Sequence, residues 1–251
     1  MKYRDLLINL VMRELKARYG TLTLGYLWSI LNPLFFTLIL FFLFSRVVKL
    51  GIPNYPLYVL SGLLPWNFFQ NGILSSLKTV SGNSHLFSKV YFPRHYVILS
   101  SVIVSLFLFL LDLIVILPFM FYYRVPFLTP RILALPLWIL ILVFLVLGLS
   151  LCFTVVNIYF RDFSFVLQFL FRIGFYVTPI FYSVSLVPER YKKVFFANPL
   201  VGILEGFRTI LYGSGHTSLP VVLYSVFFSL ASFFLGVFFF KKVIPEAVKI
   251  L

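Results

Sequence analysis

The stretch Arg13–Pro33, RELKARYGTLTLGYLWSILNP, changes character half-way along. Before Gly20 the residues belong to a charged, amphipathic helix. From Leu6 to Tyr19 the apolar side chains cover a wide arc, and Asp5, Asn9, Arg13 and Lys16 recur at the spacing of one helical face. Glu14 stands four residues before Arg18, the favourable order for a helical ion pair, and Gly20 supplies a stop. Past Gly20 the apolar density rises and stays high from Leu24 to Phe44. Tyr26 and Trp28 stand where a membrane–water interface favours amphipathic rings. The expectation is a helix along the membrane surface that feeds a first spanning helix. A secretory signal fits poorly, because the charged part is too long, the apolar run exceeds a signal core and no small-residue cleavage site follows.

The rest of the chain supports a membrane reading. Of 251 residues 61% are hydrophobic, 20% aromatic and 11% charged, with a mean hydropathy of +1.04, a balance foreign to a soluble domain. The apolar runs do not alternate with period two, which argues against a β-barrel. Six spans are expected, at about 27–46, 57–77, 97–122, 132–157, 163–182 and 219–240. Lys2, Arg4, Arg13, Lys16, Arg18, Lys78, Lys89, Arg94 and Arg161 with the C-terminal lysines outnumber the basic residues of the opposite side, so both termini are assigned to the cytoplasm. The net charge of +14 is explained by anionic lipid and this bias; no basic, aromatic-interleaved nucleic-acid module is present. Cys152, the single cysteine, cannot form an intrachain disulfide.

Three features inside this plan draw chemistry. Segment 183–218 contains a helical piece from Pro199 to Tyr212, too short to span, between the start signal Asn198-Pro199 and the stop Gly213. It is read as re-entrant or lying on the outer leaflet, or else as a surface loop helix. In span five, Phe165, Phe169, Arg172 and Tyr176 put aromatic rings around a cation on one face. Such a face suits sugars, whose C–H faces stack on rings, but in a chain with 33 Phe such stripes also arise from ordinary helix packing, the more common cause. Arg172 is expected to be buried, with an ion pair to Asp112 as its structural explanation. In span six Ser225, Ser229, Ser232 and Gly236 form a small-residue seam, within the chain or between subunits.

Catalytic chemistry is missing. His85, His95 and His216 have no Cys or acidic residue at ligand spacing, no acidic pair recurs at metal-binding spacing, and neither a GxSxG elbow nor a GxxxxGK[ST] loop occurs. No catalytic residue and no metal site is assigned, and the chain is not expected to hydrolyse ATP through a P-loop of its own.

RELKARY (Arg13–Tyr19), LGYLWSILNP (Leu24–Pro33), KVYFPR (Lys89–Arg94), NIYFRD (Asn157–Asp162), TPIFY (Thr178–Tyr182) and Asn198-Pro199-Leu200 with Phe207-Arg208 together resemble the type-2 ABC transporter permeases of the O-antigen and teichoic-acid export group. The resemblance covers nearly the whole chain. It implies an all-α integral membrane fold of six transmembrane helices behind an amphipathic interfacial helix, forming one permease domain over 1–251. It implies a homodimer in the bacterial cytoplasmic (inner) membrane, docked on a separate ABC nucleotide-binding subunit that uses ATP and Mg, and a lipid-linked glycan as cargo. No cofactor is expected on this chain. Region 1–22, with Arg13, Glu14, Lys16, Arg18, Tyr19 and Trp28, becomes a cytoplasmic gate helix. Loop 78–96, with Lys89, Tyr91, Phe92, Pro93 and Arg94, becomes the ATPase-coupling loop. Region 183–218 becomes the periplasmic gate helices, and Phe165, Phe169, Arg172 and Tyr176 become channel candidates. An exporter of teichoic acid, drugs or small lipids shares this architecture. A membrane-embedded glycan transferase would need a cluster of acids or a His base, and only Asp112 lies within a span.

Overall fold

The computed structural model describes residues 2–20, 25, 27–47, 51–82, 93–126, 129–213, 215 and 218–247. Among these the chain forms α-helices with short 3-10 and π turns. α1 is Lys2–Tyr19, α2 Leu27–Phe41, α3 Tyr55–Gly82, α4 His95–Leu113 and α5 Ile116–Tyr122. After them come α6 Leu135–Tyr159, α7 Phe163–Val177, α8 Glu189–Phe196, α9 Pro199–Leu211 and α10 Leu219–Ala247. No strand occurs among the described residues.

Three stretches are long and apolar enough to cross a bilayer: α4 with α5 (His95–Tyr122), α6 with the 3-10 turn before it (Pro130–Tyr159), and α10. Taking α8 and α9, bent 94° to each other, as one broken span makes four. α3 has the length at 28 residues, and Asn67, Gln70 and Asn71 make it more polar. α2 and α7, at 15 residues each, fall short of the ~20 that straight crossing needs. Each expected span overlaps a helix (α2, α3, α4 with α5, α6, α7 and α10 in turn), but length and composition support three spans, or four with the bent pair α8 and α9, which none of the expected spans includes, rather than six.

α3 is the centre of the core. Leu57, Leu60, Leu64 and Ile73 are fully enclosed, and Pro65 leaves the helix unbroken. α6 and α10 pack face to face through the small-residue seam: a Cβ added at Gly236 would strike the Gly148 carbonyl, and one at Gly148 would strike the Ser232 backbone. Ser225 and Ser229 are buried, so the seam lies within the chain rather than between subunits.

The 183–218 segment corrects the surface readings. α9 is neither a surface helix nor laid on the bundle. Every residue from Leu200 to Arg208 is buried, and the helix packs on α3, α6 and α10. The start and stop signals hold: the Asn198 side chain accepts from Leu200 N at 3.0 Å, and Gly213 has φ +89°. Gly202 and Gly206 let this short helix sink, because a Cβ at Gly206 would enter the Trp138 ring. Backbone at this depth is tolerated because protein covers it.

Candidate functional site

α3 carries a polar ridge along one side, and two cavities adjoin there through Asn32, Pro33 and Asn67. One, of about 520 Å³, is lined by Trp66, Gln70, Gln168, Arg172 and Tyr176 among others. The other, of about 350 Å³, is lined by Arg18, Asn71, Ser75, Lys78, Ser105 and Asp112. From Leu63 to Lys78 the lining residues of α3 descend one helical face, a trough of roughly 22 Å at the helical rise. α2 and α7 stand beside it, joined by an edge-on contact of Phe36 with Phe175 at 5.7 Å. Amides and cations in such a trough are costly against hydrocarbon and need water, substrate or protein over them.

Arg172 and Tyr176 line the trough, whereas Phe165 and Phe169 do not; they stand on the exposed face of α7, 70% and 60% accessible. Arg172 is exposed, which corrects its expected burial. It does not pair with Asp112, for the two line different cavities. Asn67, Gln70 and Asn71 are trough residues that sequence reasoning did not assign as site residues. Their signal was three amides within five residues of an otherwise apolar run.

At one end of the trough the N-terminal helix is anchored. Arg18 Nε and Nη2 donate to Glu14 Oε1 at 3.1 and 2.9 Å, and Arg18 reaches Ser101 and Ser105 Oγ at 3.3 Å each. Thr79 Oγ1 donates to the same Glu14 oxygen at 2.9 Å. An ordinary surface pair on α1 thus becomes a part-buried network tying α1 to α3 and α4. The opposite stripe, Asp5, Asn9, Arg13 and Lys16, is exposed as its spacing predicts, and Trp28 is 40% accessible. α1 ends at Tyr19, whose side chain, like Lys89, Tyr91 and Phe92 entirely, lies outside the described residues. Pro93 and Arg94 are half-buried at the start of α4, where Val97 N donates to Arg94 O at 3.2 Å.

Inside the bundle, against Tyr58 and Gly62 of α3 and outside the lining of both cavities, stands a pair that sequence reasoning missed. Arg208 is fully enclosed. Its Nη1 donates to Glu205 Oε1 at 2.6 Å, and its Nη2 donates to the carbonyls of Pro179 at 2.5 Å and Ile180 at 2.7 Å. Its guanidinium lies 4.0 Å from the centroid of the Tyr58 ring. Gly62 makes room: a Cβ there would come within 3.1 Å of Arg208 Nη2. One guanidinium therefore ties α9 to α3 and to the turn after α7, where Asn198 Nδ2 also donates to Thr178 Oγ1 at 3.0 Å. The signal was an acid and a base three apart inside an apolar, glycine-spaced helix.

A profile of a family described as ABC-2 type transporter matches residues 5–212 of the chain. An O-antigen export system permease protein RfbA of Klebsiella pneumoniae is 34% identical over 215 residues, 84% of this chain and 83% of that protein. The protein of the same name from Myxococcus xanthus is 34% identical over 214 residues, covering 84% and 82%. The polysialic acid transport protein KpsM of Escherichia coli is 27% identical over 235 residues, covering 92% and 91%.

Proposed function

Because the chain belongs to the ABC-2 type transporter family, we propose that it is the membrane permease of a polysaccharide exporter of the O-antigen kind, driven by a separate ABC ATPase. The similarity to O-antigen export permeases along most of both chains supports the cargo class.

The finer reading is a homodimer in the inner membrane with six spans per subunit and both termini cytoplasmic. Lipid-linked glycan passes between the two copies along the trough. The observation that carries it is the trough itself, a row of amides, hydroxyls and cations on the side of the bundle flanked by exposed rings. Hydrocarbon is a poor cover for that row, and a second copy of the same face encloses it around water and sugar. Phe165, Phe169 and Tyr176 offer stacking surfaces and Arg172 a donor fork for hydroxyls or phosphate. Arg18 and Lys78 stand at the end nearest α1, where an anionic lipid-linked head would enter. Lys89, Tyr91, Phe92, Pro93 and Arg94 form the loop that receives the ATPase, with the rings as anchors and the cations directed to an acidic groove.

Cross-linking tests the assembly. With Cys152 replaced by Ser, single cysteines at Ile39 and Phe169 should link two copies in membranes and block export. Links forming instead through Phe227 or Phe234 on α10, with none from α2 or α7, would place the dimer on the wrong side for this channel.

A further inference from the structure

A second cleft, of about 570 Å³, opens between α4, α6 and α10 and shares no lining residue with the trough. Its walls are apolar: Ile98, Leu147, Leu151, Phe233, Val237 and Phe240. Arg94, His95 and Lys241 gather among its lining, where α4 begins and α10 nears its end, and no acidic residue lines it. Glu246, one turn beyond Lys242, is not part of the lining. Lys241 makes no ion pair among the described residues, whereas Arg94 has a further contact within the chain. The neighbouring positions Phe234 and Phe238 are 66% and 64% accessible, as befits a surface against hydrocarbon.

We propose that this cleft binds an anionic phospholipid, one acyl chain in the gap between α4 and α10 over the floor that Leu147 and Leu151 of α6 provide, and the phosphate on Lys241, supported by His95 and Arg94. An apolar slot of this shape beside hydrocarbon gains dispersion contacts along its walls from an alkyl chain laid in it. Cations at the depth of the headgroups favour a negative partner, and a zwitterionic lipid would bring its own ammonium to Lys241. A free phosphate satisfies the cations and leaves the apolar walls uncovered. The volume falls in the range of small-ligand sites. The exporter reading enters only through the leaflet: with cytoplasmic termini, this is the inner one.

The test is lipid retention by native mass spectrometry on the full chain purified with its ATPase and delipidated in detergent. Dioleoyl phosphatidylglycerol, dioleoyl phosphatidylcholine and glycerol 3-phosphate are titrated in turn. Phosphatidylglycerol should bind about tenfold tighter than phosphatidylcholine. Lys241→Glu should abolish that preference, and Leu147→Trp, which fills the slot, should lower retention of both lipids. If Lys241→Glu fails to assemble, Lys241→Gln takes its place and should reduce the preference. Equal retention of the two lipids, a preference that survives the charge change, full retention by Leu147→Trp, or glycerol 3-phosphate binding as tightly as the lipid would each overturn the proposal. Neither ATP nor glycan is used, so failure here leaves the export reading standing, and failure of export leaves the lipid result standing.

Discussion

Replacing Arg208 by Met is the most severe test of the packing described above. The change keeps most of the apolar volume and removes the guanidinium. It leaves the buried Glu205 carboxylate without the cation 2.6 Å away, and takes the donor from the carbonyls of Pro179 and Ile180. Breaking a buried ion pair from one side costs about 3–5 kcal/mol. In a chain of this size that corresponds to a fall in Tm of about 6–20 °C. Glu205→Leu alone should cost a similar amount, since it strands the guanidinium. If the two losses were independent they would sum to about 6–10 kcal/mol. Because they act on one pair, the double variant should fall well short of that sum and lie close to either single variant. The remaining penalty, about 1–3 kcal/mol for each carbonyl left without a partner, keeps the double variant below the parent protein. Cys152, half-buried and the only thiol, supplies the assay: a thiol-reactive fluorophore added during a thermal ramp in detergent reports unfolding directly. The Lys192–Glu189 pair is the control, because Glu189 is 86% accessible and Lys192→Ala should cost less than about 1 kcal/mol. Arg208→Met melting within a degree of the parent, or strictly additive losses in the double variant, would refute the role assigned to this residue.

Arg18→Ala should free the start of the chain: hydrogen exchange in α1 should rise by an amount matching a loss of about 1.5–3 kcal/mol, with no rise for the exposed Lys16→Ala. Gly236→Leu should push α6 from α10, with a drop in thermal stability of about 1–3 kcal/mol by the same thiol assay, since the added Cβ meets the Gly148 carbonyl. Phe169→Ala and Tyr176→Ala should reduce export in cells while the complex and its ATP hydrolysis stay intact; normal export would leave these rings as packing only. Tyr91→Ala or Arg94→Ala should lower ATP hydrolysis by the assembled complex, and unchanged hydrolysis and transport would remove the coupling assignment.

Hydropathy placed the helices because it is a local property: a run of Leu, Ile, Val and Phe becomes a helix wherever it lies in the bundle, and Asn198, Pro199 and Gly213 end and begin segments through their own backbone preferences. The helix over Lys2–Tyr19, the exposed stripe of Asp5, Asn9, Arg13 and Lys16, the small-residue face of α10 and the family motifs were all legible on those grounds. Which apolar helices face one another was not. In a soluble protein burial follows the apolar face, whereas in a membrane protein the faces toward lipid and toward protein are both apolar, and composition does not distinguish them. Arg172 and Arg208 show the consequence. Both occur in apolar stretches, and the sequence marks Arg172 as the buried one. α7 lies at the edge with its stripe exposed, while Gly202 and Gly206 let α9 sink among α3, α6 and α10, so it is Arg208 that is enclosed and Arg172 that opens on the trough. The sequence by itself determined the helices, their order and the family. Only the tertiary structure decided which charges are held inside, that Glu14 and Arg18 reach Thr79, Ser101 and Ser105, and that residues as distant as Arg18 and Tyr176 line two adjoining cavities along α3, because each of those facts depends on contacts between helices far apart in the chain.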